Sequence, residues 1–188
     1  MTNYTEKIQK YLNLEMAVMS KLDVEAINKV MNTLEEARLA GKTIYICGNG
    51  GSAATASHFV CDFNKGVSEH QEQKYNFICL NDNVPTMMAV ANDISYDDVF
   101  VFPLQGRMKE GDLFIGISGS GNSENVIRAA QYAKEQGNTV IGITGYSGGK
   151  LKAMSDLSLH VPIDNMQITE DLHMMLDHLM MYIMAYDK

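Results

Sequence analysis

The chain has 188 residues, a formal net charge of −8 and 46% hydrophobic residues, which is typical of a water-soluble globular protein of one domain. The negative charge, without any local run of Lys or Arg, excludes a nucleic-acid-binding surface. No apolar run reaches membrane-spanning length, and the N-terminus lacks a signal-peptide pattern. Cys47, Cys61 and Cys79 lack metal-ligand spacing and are predicted to be buried thiols of a reducing compartment. We therefore expect a cytoplasmic protein that binds neither nucleic acid nor membrane.

Two amphipathic helices are predicted ahead of the first strand. In the first, from Tyr4 to about Ser20, apolar residues recur every three or four positions. The second begins after Asp23, a good N-cap, and ends before Gly41 at the C′ position. These helices form an N-terminal extension, residues 1–41, that packs either on its own domain or on another subunit.

From residue 42 onwards, apolar strands alternate with helices. Strands without a polar face indicate a parallel sheet covered on both sides. The predicted fold is α/β: a three-layer αβα sandwich with a five-stranded parallel sheet and a long C-terminal helix, within a single domain 1–188 whose sheet core is 42–188. The predicted strands are 43–47, 75–80, 113–117, 139–144 and 157–161. The predicted helices are 52–63, 85–92, 99–105, 124–136, 151–153 and 169–186.

The first strand runs into a glycine-rich loop and then into an alanine-rich helix. Gly48, Gly50 and Gly51 allow tight turns and a close approach of a ligand to the backbone. The unpaired amides of the following helix and its dipole favour an anion, most often phosphate. Asn49 and Ser52 add side-chain hydrogen bonds beside those amides.

A second strand–loop–helix unit repeats this design. The strand at 113–117 is followed by a loop in which Ser118, Ser120 and Ser123 alternate with glycines, an arrangement suited to the oxygens of a phosphate monoester. An open parallel sheet brings both loops to the same edge. The pair is therefore a stronger indication of an anion site than either loop alone.

The glycine loop also fits a dinucleotide-binding fingerprint, since Gly48, Gly50 and Ala53 satisfy G-x-G-x-x-A. That interpretation requires an acidic residue about 20 residues further on, at the end of the next strand. The next strand instead ends near Asn81, and a second phosphate loop follows. No nucleotide cofactor is expected.

Several motifs together resemble the sugar isomerase (SIS) family and, within it, the phosphoheptose isomerase group. They are Gly48-Asn49-Gly50-Gly51-Ser52-Ala53, His58, Asn92-Asp93, the loop 118–123 and the last helix with its acidic residues and histidines. The resemblance covers nearly the whole chain. It implies an SIS-type fold, a homotetramer with active sites at subunit interfaces, and conversion of sedoheptulose 7-phosphate to D-glycero-D-manno-heptose 7-phosphate.

The same resemblance implies the substrate-binding residues. Ser118, Gly119, Ser120 and Ser123 would hold the phosphate, and Asn49, Gly50, Gly51 and Ser52 would lie against the sugar chain. Asn92 and Asp93 would contact the sugar hydroxyls, and Glu170 would complete the substrate site.

The resemblance also implies a metal and an acid–base set. His58 and Asp62 lie four residues apart on one predicted helix, so they share a face. The group carries Glu where this chain has Asp62 and Gln where it has Glu170, whereas His178 matches the group's acid. A Zn²⁺ ion bound by His58, Asp62, Glu170 and His178 would polarise the carbonyl. Asp62 or Glu170 would then move a proton between adjacent carbons, and His178 would protonate and deprotonate the sugar oxygens.

Spacing along the last helix limits that ligand set. Glu170 and His178 are separated by about 12 Å along an α-helix, which is too far for both to reach one small ion easily. Either one site takes them from different subunits, or only one of them is a ligand. Asp177 and His173 are expected to be solvated or capping residues.

Two other functions are compatible with the same sequence. One is a non-catalytic SIS module that binds a sugar phosphate or a protein partner, as in a replication-initiator-associating member. The other is an isomerase of another phosphosugar that supplies surface glycans, because the loops contact only the phosphate and nearby hydroxyls.

Overall fold

In the computed structural model, which describes residues 2–186, five parallel strands form one sheet in the order β2-β1-β3-β4-β5. The predicted fold class is thus confirmed. The strands are β1 (Ile44–Gly48), β2 (Phe77–Cys79), β3 (Leu113–Ser118), β4 (Thr139–Thr144) and β5 (Leu157–His160). The helices are α1 (Thr5–Met19), α2 (Val24–Leu39), α3 (Gly51–Cys61), α4 (Val84–Asp93), α5 (Glu124–Glu135), α6 (Gly149–Met154) and α7 (Met166–Tyr186).

Helices cover both faces of the sheet. Successive strand side chains point to opposite faces, so Ile44 and Ile46 of β1 join the core beneath α2, α3 and α7. Tyr45 and Cys47 join the second core, beneath α4, α5 and α6. Both faces are apolar, which explains why the strands show no polar alternation and why three layers form.

The strand order places the two loops at one crevice. The chain leaves β1 towards β2 on one side, whereas it leaves β3 towards β4 on the other. Gly48 at the end of β1 pairs with Ile117 near the end of β3. The loops that follow these neighbouring strands therefore diverge at their carboxyl ends, where open α/β sheets bind ligands.

The two leading helices differ in their packing. Asp23 caps α2 by accepting a hydrogen bond from the Ala26 amide, and α2 buries Val30 and Leu34 against the sheet. By contrast, α1 buries only Val18. The apolar side chain of Ile8 remains 57% exposed, so α1 keeps an uncovered apolar face within the described chain.

The predicted helix at 99–105 is wrong. A short 3₁₀ turn, Tyr96–Asp98, is followed by turns up to residue 107. Pro103 lacks the N–H that an α-helix needs there, and its ring would clash with the carbonyl of Val99. The sequence pattern was helical, but this proline prevents the helix from forming.

Smaller differences concern element ends and one thiol. The predicted helix 52–63 ends at Cys61 and continues as a π-helical turn, Asp62–Val67. The last helix starts at Met166 because the Asn165 side chain accepts a hydrogen bond from the Ile168 amide. Cys61, predicted to be buried, is exposed at the end of α3, whereas the other two cysteines lie in strands and are buried.

No helix among the described residues is long and apolar enough to cross a membrane.

Candidate active site

The glycine loop brings the backbone of α3 against a carboxylate of α7. Gly50, immediately before α3, has φ 56° and ψ −120°, a conformation that favours glycine. Gly51 has no side chain because the Glu170 carboxylate lies there: a Cβ atom at Gly51 would be 2.5 Å from both carboxylate oxygens. The loop thus presents the first turn of α3 and Glu170 side by side.

The serine loop lies at the N-terminus of α5. Ser118 ends β3, and Ser123 occupies the N-cap position of α5. Their hydroxyl oxygens are 3.0 Å apart, and the Ser120 hydroxyl accepts a hydrogen bond from the Asn122 amide. Hydroxyl groups beside the positive end of a helix dipole are suited to hold an anion.

Both loops face one cavity, which we call the loop cavity. Its lining residues are Asn49, Ser52, Ile117, Ser118, Gly119, Ser120, Ser123, Met166 and Glu170. None of these residues is Lys or Arg, so an anion would be held by hydroxyls, amides and the helix dipole. Four of the predicted substrate residues, Gly50, Gly51, Asn92 and Asp93, are not among the lining residues. Asn92 and Asp93 end α4 on the exposed surface, where the Asn92 amide donates to the Asp93 carboxylate.

Two residues that sequence reasoning missed hold Asn49 in place. The amides of Asn49 and Asn125 exchange two hydrogen bonds of 2.9 Å each. The Tyr96 hydroxyl donates a third bond to the Asn49 side-chain oxygen, also at 2.9 Å. Asn125 is buried within the apolar stripe of α5. A polar residue within that stripe was the only signal for this role in the sequence.

A second cluster lies further along α3 and α7, and we call it the His–Asp group. It consists of His58, Asp62, Asp177 and His178, whose candidate ligand atoms all lie within 4.8 Å of one another. The two histidine Nε2 atoms are 3.0 Å apart. Asp62 Oδ2 is 3.5 Å from His58 Nε2 and 4.0 Å from His178 Nε2.

Asp177 and His173, expected to be solvated or capping residues, are instead fully buried. They share the inner face of α7 with Leu172, Leu176 and Met180, which pack against the core. Burial, together with the charge of nearby Asp62, raises the pKa of Asp177 to about 8. Burial lowers the pKa of His173 to about 4.

The His–Asp group fits a divalent metal ion. Donors bound tetrahedrally at zinc distances are about 3.3 Å apart. The spacings of 3.0 Å between the two Nε2 atoms and 3.5 Å between His58 Nε2 and Asp62 are close to that value, and the spacing of 4.0 Å between His178 Nε2 and Asp62 is longer. Neither oxygen of the buried Asp177 carboxylate has a hydrogen-bond partner. A buried, unpaired carboxylate is costly unless it is neutral, paired or bound to a metal.

The loop cavity and the His–Asp group lie at different positions along two parallel helices, α3 and α7. Glu170 lies beside Gly51, whereas His178 lies beside His58, so α3 and α7 run in the same direction. Glu170 and His178 are about 12 Å apart along the axis of α7. Within one chain, Glu170 therefore faces the loop cavity and is not part of the His–Asp group.

Comparison with known proteins gives a consistent result. The sequence model of the SIS domain matches residues 3–145. A probable phosphoheptose isomerase of Thermoplasma acidophilum is 37% identical over 171 residues, which cover 91% of this chain and 93% of that protein. Among solved structures, a phosphoheptose isomerase from Francisella tularensis matches with a TM-score of 0.89 and 27% identity, covering 98% of this chain and 99% of that one. One from Neisseria gonorrhoeae matches with a TM-score of 0.88 and 29% identity, covering 97% and 98%.

Proposed function

The chain belongs to the SIS domain family, and from this premise we propose that it is a phosphoheptose isomerase that converts sedoheptulose 7-phosphate to D-glycero-D-manno-heptose 7-phosphate. The single observation that carries the proposal is the loop cavity, where a phosphate cradle and a carboxylate face each other at the switch point of the sheet. The names of the similar proteins favour an isomerase over a non-catalytic module or an isomerase of another phosphosugar.

The substrate phosphate binds in the serine loop. The hydroxyls of Ser118, Ser120 and Ser123 donate hydrogen bonds to its oxygens, beside the amide of Gly119 and the N-terminus of α5. Asn49 and Ser52 contact the sugar chain from the opposite wall of the loop cavity, and the backbone of Gly50 and Gly51 lies behind them.

Proton transfer between adjacent carbons requires a base at the sugar. The Glu170 carboxylate lines the loop cavity, whereas Asp62 lies in the His–Asp group. This placement supports Glu170, of the two predicted carboxylates, as the group that takes the proton from one carbon and returns it to the next through an enediol. His178 exchanges protons with the sugar oxygens through Nδ1, because its Nε2 faces the His–Asp group.

A metal ion belongs to the proposal as a Lewis acid. Zn²⁺ is the ion that we propose, with His58, Asp62 and His178 among its ligands. When bound, it polarises the substrate carbonyl and so favours removal of the neighbouring proton.

We propose a cytoplasmic homotetramer in which the His–Asp group of one subunit completes the loop cavity of a neighbour. The side chains of His58 and His178 are 42% and 56% exposed, so a second chain can reach them. The separation of Glu170 from His178 along α7 and the uncovered apolar face of α1 support the same arrangement. Asn92 and Asp93, exposed in one chain, contact the sugar hydroxyls in the assembly.

The direct test is a coupled assay on sedoheptulose 7-phosphate with and without added Zn²⁺. We expect Glu170→Ala to lower kcat by about 100-fold or more, because the variant has no side chain at this position that can accept the carbon proton. The matched control on the same helix is Asp171→Asn, which removes a carboxylate that bonds the Tyr11 hydroxyl outside the cavity and should keep wild-type turnover. Absence of wild-type turnover under both conditions would refute the assignment, and turnover of a different phosphosugar alone would change the substrate.

A further inference from the structure

We infer that Asp177 is a direct metal ligand and completes, with His58, Asp62 and His178, a divalent cation site built from a single chain. The resemblance to known isomerases places Glu170 in that role, not Asp177. The inference depends on the proposed function only for its catalytic consequence, since metal binding is measured without substrate.

The first argument is the state of the Asp177 carboxylate. Its side chain is fully buried, and neither of its oxygens has a hydrogen-bond partner. Such a group destabilises the folded chain unless something compensates for its lost hydration. Its candidate ligand oxygen lies within 4.8 Å of the other three donors, so a cation held among them would also satisfy it.

The second argument is the convergence of four candidate donor atoms on one point. Two of them belong to carboxylates, Asp62 and Asp177. The other two are the Nε2 atoms of His58 and His178, which are 3.0 Å apart and share a hydrogen bond in which one ring donates and the other accepts. A divalent ion attracts all four donors, and carboxylate and imidazole are both ligand types that Zn²⁺ accepts.

The third argument is the position of Glu170. Its carboxylate packs on Gly51 in the loop cavity and lies outside the His–Asp group. If Asp177 supplies the fourth donor, Glu170 does not need to bind the metal. It then remains free to transfer protons at the sugar.

The experiment measures metal affinity without substrate. The metal-free full-length protein competes with a chromophoric chelator for Zn²⁺, with far-UV circular dichroism confirming that each variant is folded. We expect Asp177→Asn to weaken Zn²⁺ binding by about 100-fold or more, since even indirect partners of metal ligands contribute 10- to 100-fold. Glu170→Gln and Asp171→Asn, on the same helix, should bind as tightly as the wild type.

A second measurement detects ligation directly. Asp177→Cys loaded with Co²⁺ should show the near-ultraviolet band of a thiolate–cobalt bond, and the wild type, which already carries exposed Cys61, provides the baseline. The inference is overturned if that band is missing, if Asp177→Asn binds like the wild type, or if Glu170→Gln loses affinity equally. Metal binding without isomerase activity would refute the proposed function and leave this inference standing. Isomerase activity without metal binding would refute this inference and leave the proposed function standing.

Discussion

Glu170 and Gly51 bring the last helix against the glycine loop. A methyl group at Gly51 would lie 2.5 Å from the Glu170 carboxylate oxygens, so that flexible side chain must move away. Gly51 is not among the residues with positive φ, so Ala fits its backbone. We expect Gly51→Ala to lower kcat by about 100-fold through misplacement of the base, while the free energy of unfolding stays within about 1 kcal/mol of wild type.

A double-mutant cycle isolates this effect. In a Glu170→Ala background the carboxylate that Gly51→Ala would displace is already absent, so Gly51→Ala should add little to the loss of kcat. Steady-state kinetics of the four proteins, with denaturant unfolding as the measure of stability, complete the test. Additive losses would show that Gly51 acts on something other than Glu170.

The buried His173 makes stability depend on pH. Its folded pKa is about 4, whereas an unfolded histidine has a pKa of about 6.5. The unfolded chain therefore takes up the proton first, and stability falls as the pH drops from about 6.5 towards 4. We expect the wild type to lose about 2 kcal/mol between pH 7 and pH 5 through this residue alone.

The comparison protein for this prediction is His173→Leu, which lacks the titrating ring and keeps all the other histidines. Urea unfolding of both proteins at a series of pH values gives the difference. Parallel stability curves for the two proteins would contradict the proposed role of burial.

At the residue level, the sequence predicts most of the loop cavity and misses the interior of the second cluster. The glycine and serine loops directly follow two strands, so Asn49 and Ser118 could be predicted to lie near one ligand from the sequence pattern, whereas Glu170 was added through the resemblance to the isomerase group. Asp177 could not be placed in the same way. The helical pattern around it is dense in Met and Leu, and only the packing of α7 on the core determines which polar residues of that stretch face inward.

At the level of elements, the Asn49–Asn125 pair ties the glycine loop to the first turn of α5. Asn125→Ala removes both amide hydrogen bonds and leaves the Asn49 side chain with the bond from the Tyr96 hydroxyl, so Asn49 is held less firmly in the loop cavity. We expect KM for the sugar phosphate to rise about tenfold, the equivalent of one lost hydrogen bond. Steady-state kinetics measures this change.

The matched control lies at the opposite end of the sheet. The buried Asp112 carboxylate accepts hydrogen bonds from the amides of Thr43 (2.9 Å) and Lys109 (2.8 Å). Asp112→Ala should lower stability and leave KM unchanged. Equal KM values for Asn125→Ala and the wild type would show that the pair has only a structural role.

Elements were predicted well where local pattern and tertiary packing agree. The strand predicted at 139–144 coincides with β4, because a continuous apolar run between turn residues fits a strand buried on both faces. The helix predicted at 99–105 failed because Pro103 overrides an apolar pattern that otherwise has helical spacing. The π-helical turn after α3 has no sequence signal that a periodicity argument detects.

For the whole molecule, the uncovered face of α1 predicts self-association. Ile8→Glu places a charge where a second subunit would pack, so we expect light scattering to report a smaller species than the tetramer that we propose for the wild type. Isomerase activity should fall with it, because the loop cavity loses its neighbour.

The control for that prediction is Gln9→Glu, which makes the same change of charge on an exposed polar position of the same helix. Gln9→Glu should keep both the wild-type assembly and the wild-type activity. A monomeric wild type, or an unchanged assembly in Ile8→Glu, would contradict the proposed packing.

The parallel alignment of α3 and α7 constrains how this protein can tolerate changes in length. Each inserted residue turns the rest of an α-helix by about 100°, so one extra alanine after Met174 would leave Glu170 in place and swing His178 away from His58. The molecule should therefore accept insertions in its surface loops but not in the nine residues from 170 to 178. The fixed length of this stretch keeps the Glu170 carboxylate and the His178 imidazole on the face of α7 that is turned towards α3.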